Sequence, residues 1–168
     1  MPADEMTNNL LETDAHRRIA VELFNHVWAL LETDDRTREQ DEEMIHAAHA
    51  SRWHWSRSAV PDMGQRLLVG EWQCARVYSV LGRGEPAVYH AQRCVEMSRA
   101  EEIEDWAVAA ACEAMARALR TIGDRAGFEE WRARAAEATA AIAEEEEREV
   151  IENDLATLGH WEEPTSAS

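Results

Sequence analysis

The sequence predicts an all-α domain of antiparallel helical hairpins, stacked as about three pairs with a capping helix at the C-terminal end. Three observations carry this reading. Alanine is abundant, β-branched residues are sparse, and the 168 residues include only seven glycines and four prolines, which favours helix. Apolar side chains recur at helical spacing through six successive stretches, as in helices with one buried face. Breaks built on Asp, Gly or Pro separate those stretches.

The first helix is expected from about Asp14 to Leu31, with Ile19, Ala20, Leu23, Val27, Leu30 and Leu31 on one face. Thr33-Asp34-Asp35 breaks it. The second runs from about Gln40 to Ser58, with Met44, Ala47, Ala48, Ser51 and Trp55 sharing a face. Pro61 closes that section, because the residue before a proline is pushed out of the helical region. The third, about Met63 to Leu81, is apolar nearly all round: Leu67, Cys74, Val77 and Leu81 on one side, Leu68, Trp72, Ala75 and Val80 on the other. A helix of that kind sits centrally in its domain.

Gly82-Arg83-Gly84-Glu85-Pro86 reads as a turn, with Pro86 at the first position of a fourth helix ending near Arg99. Its stripe is Ala87, Ala91, Cys94 and Val95. The fifth helix is expected from about Ala100 to Thr121, with acids in its first turns and arginines near its end, an order that suits the helix dipole. Gly123 ends it. The sixth begins near Ala126 and shows Phe128, Trp131, Ala135, Ala138 and Ile142 as its stripe. The segment around Val150, Ile151, Leu155 and Leu158 either continues it or folds back as a short cap. Residues 13–160 then form one domain, between a flexible N-terminus (1–12) and a disordered tail (161–168).

Two segments resemble each other: Leu81 to Ala91 recurs loosely as Ile122 to Ala133, and Trp72 and Trp106 stand 34 residues apart. An aromatic in the first helix of a pair, a Gly at the turn and small residues in the second helix resemble the tetratricopeptide repeat, whose period is about 34 residues. The resemblance covers about Gly70 to Ala140. It implies a short right-handed array in which helices one, three and five line a groove. It departs from the repeat in two respects: Gly123 follows Trp106 at a longer interval than Gly82 follows Trp72, which implies an overlong fifth helix, and helices one and two match the period only by helix pattern. The stretches Met44 to Trp55 and Gly70 to Gly82 are also similar to an actinobacterial type of bacterial protein family, which implies the same helical fold and no particular activity.

The formal net charge is −17. Such a chain repels phosphate backbones and anionic lipid heads, so nucleic acid and membrane are excluded as partners and a basic or cationic partner is favoured. No apolar run approaches the roughly 20 residues of a spanning helix, and Met1 to Asn9 is polar and acidic, unlike a signal peptide. Cys74, Cys94 and Cys112 include no Cys-x-x-Cys pair and sit in apolar stretches. They read as reduced core residues of a cytoplasmic protein. No phosphate loop, nucleophile elbow or dinucleotide fingerprint occurs.

The candidate site residues follow from charge and periodicity. Glu42, His46, His49 and Trp53 share one side of the second helix at about 100° per residue. Glu42, His46 and His49 can converge on a divalent cation such as zinc, manganese or iron. The alternative is a polar helix face lining a groove, with His49, Arg52 and Trp53 as ligand contacts. Glu71 and Arg76 lie on the central helix and are expected to be at least partly buried, and buried charges must be paired. Each faces either an ion-pair partner or a ligand in an internal cavity. His90 stands one turn before Cys94, a spacing that can ligate a soft metal or serve packing alone. By the repeat resemblance, Trp72, Arg76, Trp106 and Glu113 share the groove, rimmed by the second-helix histidines.

Three functional classes follow. The leading one is a binding module for a peptide, partner protein or small ligand. The second is a metal-assisted enzyme that uses His46, His49, Glu42 or His90 with Glu71 as base. The third is a structural dimerisation domain, a homodimer capping exposed helix faces.

Overall fold

The computed structural model describes residues 3–161, with side chains from residue 12 onward. Among these the chain forms seven helices and no strand: α1 (Ala3–Leu31), α2 (Arg38–Trp55), α3 (Met63–Val80), α4 (Gly84–Met97), α5 (Asp105–Thr121), α6 (Arg125–Ala141) and α7 (Glu145–Leu158). Consecutive helices pack on one another, α1 with α2, α3 with α4 and α5 with α6. α3 also touches both α1 and α5, and α7 lies across α5 and α6. No described helix is long and apolar enough to cross a membrane.

The α1–α2 connection is held by side chains. Arg36 donates from Nη1 to the carbonyls of Leu30 (3.1 Å) and Thr33 (2.8 Å), satisfying acceptors that a helix C-terminus leaves open, and from Nε to Asp41 (2.9 Å). Thr37 and Gln40 form a reciprocal capping box at the start of α2. The two later hairpins use one turn twice. Gly82 and Gly123 take φ of 68° and 78° after α3 and α5. In each turn the next residue donates back to the helix, Arg83 to the Tyr78 carbonyl and Asp124 to the Leu119 carbonyl, both at 2.9 Å. This is the left-handed glycine stop, a conformation that a Cβ penalises.

The sequence-predicted stripes are largely those that pack. Met44, Ala47, Ala48, Ser51 and Trp55 are all buried, and so is every residue from Gly70 to Val77. α3 is therefore the central helix. On α5, alanines at 107, 109, 110, 111, 114, 116 and 118 are all buried, which lets α3, α4, α6 and α7 approach its backbone closely. Cys74 and Cys94 are buried and Cys112 is half-buried, all three as free thiols.

Several boundaries differ from expectation. α1 starts at Ala3, not Asp14. α7 is a separate helix that folds back, because the chain turns at Ile142, whose side chain is buried in the main core cluster beside Ile151. α5 starts at Asp105, five residues later than expected. Residues 100–104 instead make a turn, closed by the Ile103 N–H on the Ala100 carbonyl (3.2 Å) and pinned by Ile103 against Leu68 and Ala107. The fifth helix is thus not overlong. Trp72 and Trp106 are not equivalent positions either: one is mid-helix and the other is the second residue of α5. The structural step is the 41 residues between Gly82 and Gly123. Of the expected C-terminal tail, Trp161 packs its ring 5.7 Å from Phe128, and residues 162–168 lie outside the described residues, as do residues 1–2 of the N-terminus.

Candidate functional site

The two flanks of α3 present different chemistry. At 100° per residue, Gln65, Val69, Trp72 and Arg76 fall on one side, and Glu71, Cys74 and Tyr78 on the other. Each side borders a cavity.

The first side opens on a cleft of about 800 Å³ between α1, α3, α5 and α7. Phe24 and Trp28 come from α1, Val69 and Trp72 from α3, Trp106 from α5, and Glu147, Val150 and Asp154 from α7. Trp28 and Trp72 meet with centroids 5.3 Å apart. The charged lining is four carboxylates (Asp62, Glu104, Glu147, Asp154) against one arginine, Arg66. Arg66 is already paired with Asp62 at 2.8 Å. Glu104 is held below its usual range by hydrogen bonds from Gln65 and Trp106. Glu147 is pushed up, first by partial burial and then by the charges of Glu104 and Glu144. Glu104 and Glu147 thus feel each other's charge across the aromatic cleft.

Behind this cleft lies a charge network. The Arg76 guanidinium carbon lies 5.9 Å from the Trp28 ring centroid and 5.6 Å from that of Trp72. Its Nη2 pairs with Asp154 at 2.8 Å and Glu113 at 3.5 Å. Glu113 is fully buried and also accepts from Arg117 Nε at 2.8 Å. Arg117 donates in turn to the Asp154 carbonyl and the Thr157 hydroxyl, which fastens α7 to α5.

The second side opens on a cavity of about 490 Å³ between α2, α3 and α4, with His49, Arg52, Trp53, Glu71, Cys74 and His90 in its lining. Glu71 is its anchor. Arg52 Nε donates to Oε1 at 3.0 Å and His90 Nδ1 lies 2.6 Å from Oε2. Burial pushes this carboxyl up, but the hydrogen bond and charge of His90, reinforced by Arg52, outweigh it, and the net displacement is downward. His90 and Arg52 thus hold Glu71 toward its anionic form. His49 Nε2 lies 2.9 Å from the Tyr78 hydroxyl. The Tyr78 ring stacks on His90 at 5.6 Å and 10°. Burial, then the charge of Glu71, drives the Cys74 thiol up to about 12.

The sequence-predicted residues are thus divided between two sites. Glu71 and Arg76 are both buried as expected, but they pair with different partners on opposite sides. Trp72 and Trp106 share the cleft; Arg76 and Glu113 lie behind its lining. The second-helix histidines do not rim that groove, since His49 borders the other cavity. Glu42 pairs with Arg83 at 2.8 Å and His46 is exposed. Among the described residues, the metal-type donors that converge are His49, Cys74 and His90, without Glu42 or His46. Cys94, a turn from His90, points its thiol to the Leu68 carbonyl at 3.6 Å.

Sequence reasoning missed Trp28, Glu104 and the α7 acids. The spacing of Glu147, Val150 and Asp154 at i, i+3 and i+7 was a usable signal for one α7 face. No protein-family model, curated protein or solved structure matches this chain.

Proposed function

We propose that this chain is a ligand-binding module. The reading is a short tetratricopeptide-like array whose groove, lined by α1, α3 and α5 and closed by α7, holds an organic cation. The groove suits an amine or guanidinium on an apolar body, free or as a Lys or Arg side chain of a peptide. Contact between α3 and its counterparts α1 and α5, and the repeated glycine stop, support the array, with a longer unit than the usual 34 residues.

The observation that carries the reading is the cleft lining: three indoles with Glu104 and Glu147, beside Asp62 and Asp154 that are already paired with Arg66 and Arg76. Indole faces attract cations by about 0.5–2 kcal/mol each, more where water is excluded. Carboxylates set the sign of the preferred ligand and the apolar walls supply area.

The test is tryptophan emission and melting temperature of the full chain, titrated with benzylamine, tetramethylammonium and an arginine-rich peptide. Benzoate and benzyl alcohol serve as anionic and neutral counterparts. The cations are expected to shift both signals and the counterparts not to. Glu104→Gln with Glu147→Gln should abolish the preference. Equal response to benzoate, or no response to any cation, overturns the reading.

A further inference from the structure

We propose that His49, Cys74 and His90 form a binding site for a single zinc-class transition-metal ion, with Glu71 holding His90 in place. The proposal is independent of the aromatic cleft, which lies on the other flank of α3.

The donors come from three helices, α2, α3 and α4. One nitrogen of each histidine and the Cys74 Sγ all lie within 4.8 Å of one another. A tetrahedral zinc ion with bonds of about 2.0–2.3 Å holds its ligand atoms roughly 3.3–3.7 Å apart. About an ångström of inward side-chain rotation closes the set, and the cavity leaves room for it.

The surroundings match those of a ligating histidine. His90 Nδ1 faces the Glu71 carboxylate at 2.6 Å. When Nδ1 carries the proton, Nε2 presents a bare lone pair. A carboxylate on the far nitrogen is the usual outer partner of a metal-bound imidazole, since it fixes tautomer and ring angle together. Glu71 is itself fixed from the other side by Arg52 at 3.0 Å. The Tyr78 ring stacked on His90 limits rotation of the imidazole further. His49 is oriented by the Tyr78 hydroxyl at 2.9 Å.

The donor set selects the ion. Two imidazoles and a thiolate suit zinc and its late first-row neighbours, and disfavour magnesium and calcium, which take oxygen ligands. Cys74 lies at the bottom of the cavity and His49 at its exposed edge. Three protein ligands leave a fourth position toward the cavity, the arrangement of zinc sites that admit water or an exogenous ligand.

The experiment uses the full chain without a histidine tag, stripped with chelator and titrated with cobalt(II) and then zinc. Cobalt should bind one equivalent with a thiolate-to-metal charge-transfer band in the near ultraviolet, and zinc should displace it. Cys74→Ser should remove the band while Cys112→Ser keeps it. His49→Gln, at the exposed edge, should weaken binding, and Glu71→Gln should do so by about 10–100-fold. Circular dichroism confirms that each variant is folded. Absence of stoichiometric cobalt or zinc binding overturns the proposal. So does binding that survives both Cys74→Ser and His49→Gln, which would place the ion on other histidines.

Discussion

Replacing Glu113 by leucine should destabilise the fold by about 3 kcal/mol. The carboxylate is fully buried and receives both Arg117 and Arg76. Removing one partner of a buried pair typically costs about 3–5 kcal/mol, because it strands an opposite charge away from water. Two features place this case at the low end. Arg76 keeps Asp154 at 2.8 Å, and Arg117 keeps the Asp154 carbonyl at 3.0 Å and the Thr157 hydroxyl at 2.7 Å. Glu113→Gln retains shape and an acceptor and should cost about half as much, in line with a charge-assisted hydrogen bond. Urea denaturation followed by far-ultraviolet circular dichroism measures both. The melting temperature should fall by roughly 6–12 °C for leucine in a domain of this size. Replacing Arg117, Arg76 and Asp154 as well, with leucine, methionine and asparagine, should recover much of the loss, since whole buried networks exchange for uncharged side chains at little cost. A Glu113→Leu protein within about 1 kcal/mol of the parent would refute the claim that the network is charge-balanced through this residue.

Gly70→Ala tests the α2–α3 contact. A Cβ there would stand 2.6 Å from Arg52 Cγ and 3.3 Å from its backbone Cα, so α3 must move away. We expect a loss of about 1–3 kcal/mol in urea titrations, together with a weaker Arg52–Glu71 pair. The pH dependence of stability tests the histidines. His16 and His54 share one hydrogen bond between their Nδ1 atoms at 2.7 Å, so one must stay neutral. His54 is lowered by burial and then by the charge of His16, and His49 is lowered by burial and then by that of His90. A histidine whose folded pKa lies below its unfolded value binds more protons when unfolded. The melting temperature should therefore be flat above about pH 6.5 and fall as the pH drops through the folded values. His54→Gln should shallow that fall, and an unchanged slope would show that the His16–His54 pair contributes nothing.

The helices were legible because their burial is periodic. Met44, Ala48, Ser51 and Trp55 can only form a stripe in a helix, and all four are buried. The turn at Gly82 was legible because a left-handed stop needs glycine. The start of α5 was not, since Ala100 to Glu104 has helical composition and is bent by a tertiary contact of Ile103. The pairing of Glu113 with Arg76 was out of reach for the same reason: it spans two helices whose relative position is set by an alanine stripe. The site at His49 shows both sides. The histidine face of α2 was visible as spacing, but its partners Cys74 and His90 lie on other helices. The other donors on that α2 face are Glu42, which pairs with Arg83, and His46, which faces solvent.

The two charges of α3 explain why one helix can serve two sites. Glu71 and Arg76 are five residues apart, which turns them about 140° around the axis. They therefore cannot satisfy each other, and each must be answered by neighbours. Glu71 recruits Arg52 and His90, so its anion fixes the geometry between α2 and α4. Arg76 recruits Asp154 and Glu113, so its cation fixes α7 over the cleft. Each buried charge costs desolvation that only a closed network offsets. A central helix that needed only packing would be served by leucine at both positions at lower cost. That both flanks carry a buried, ion-paired charge beside a cavity, with the buried Arg76 Nε left without a hydrogen-bond partner, is the strongest reason to seek function at α3, not along the exposed acidic faces.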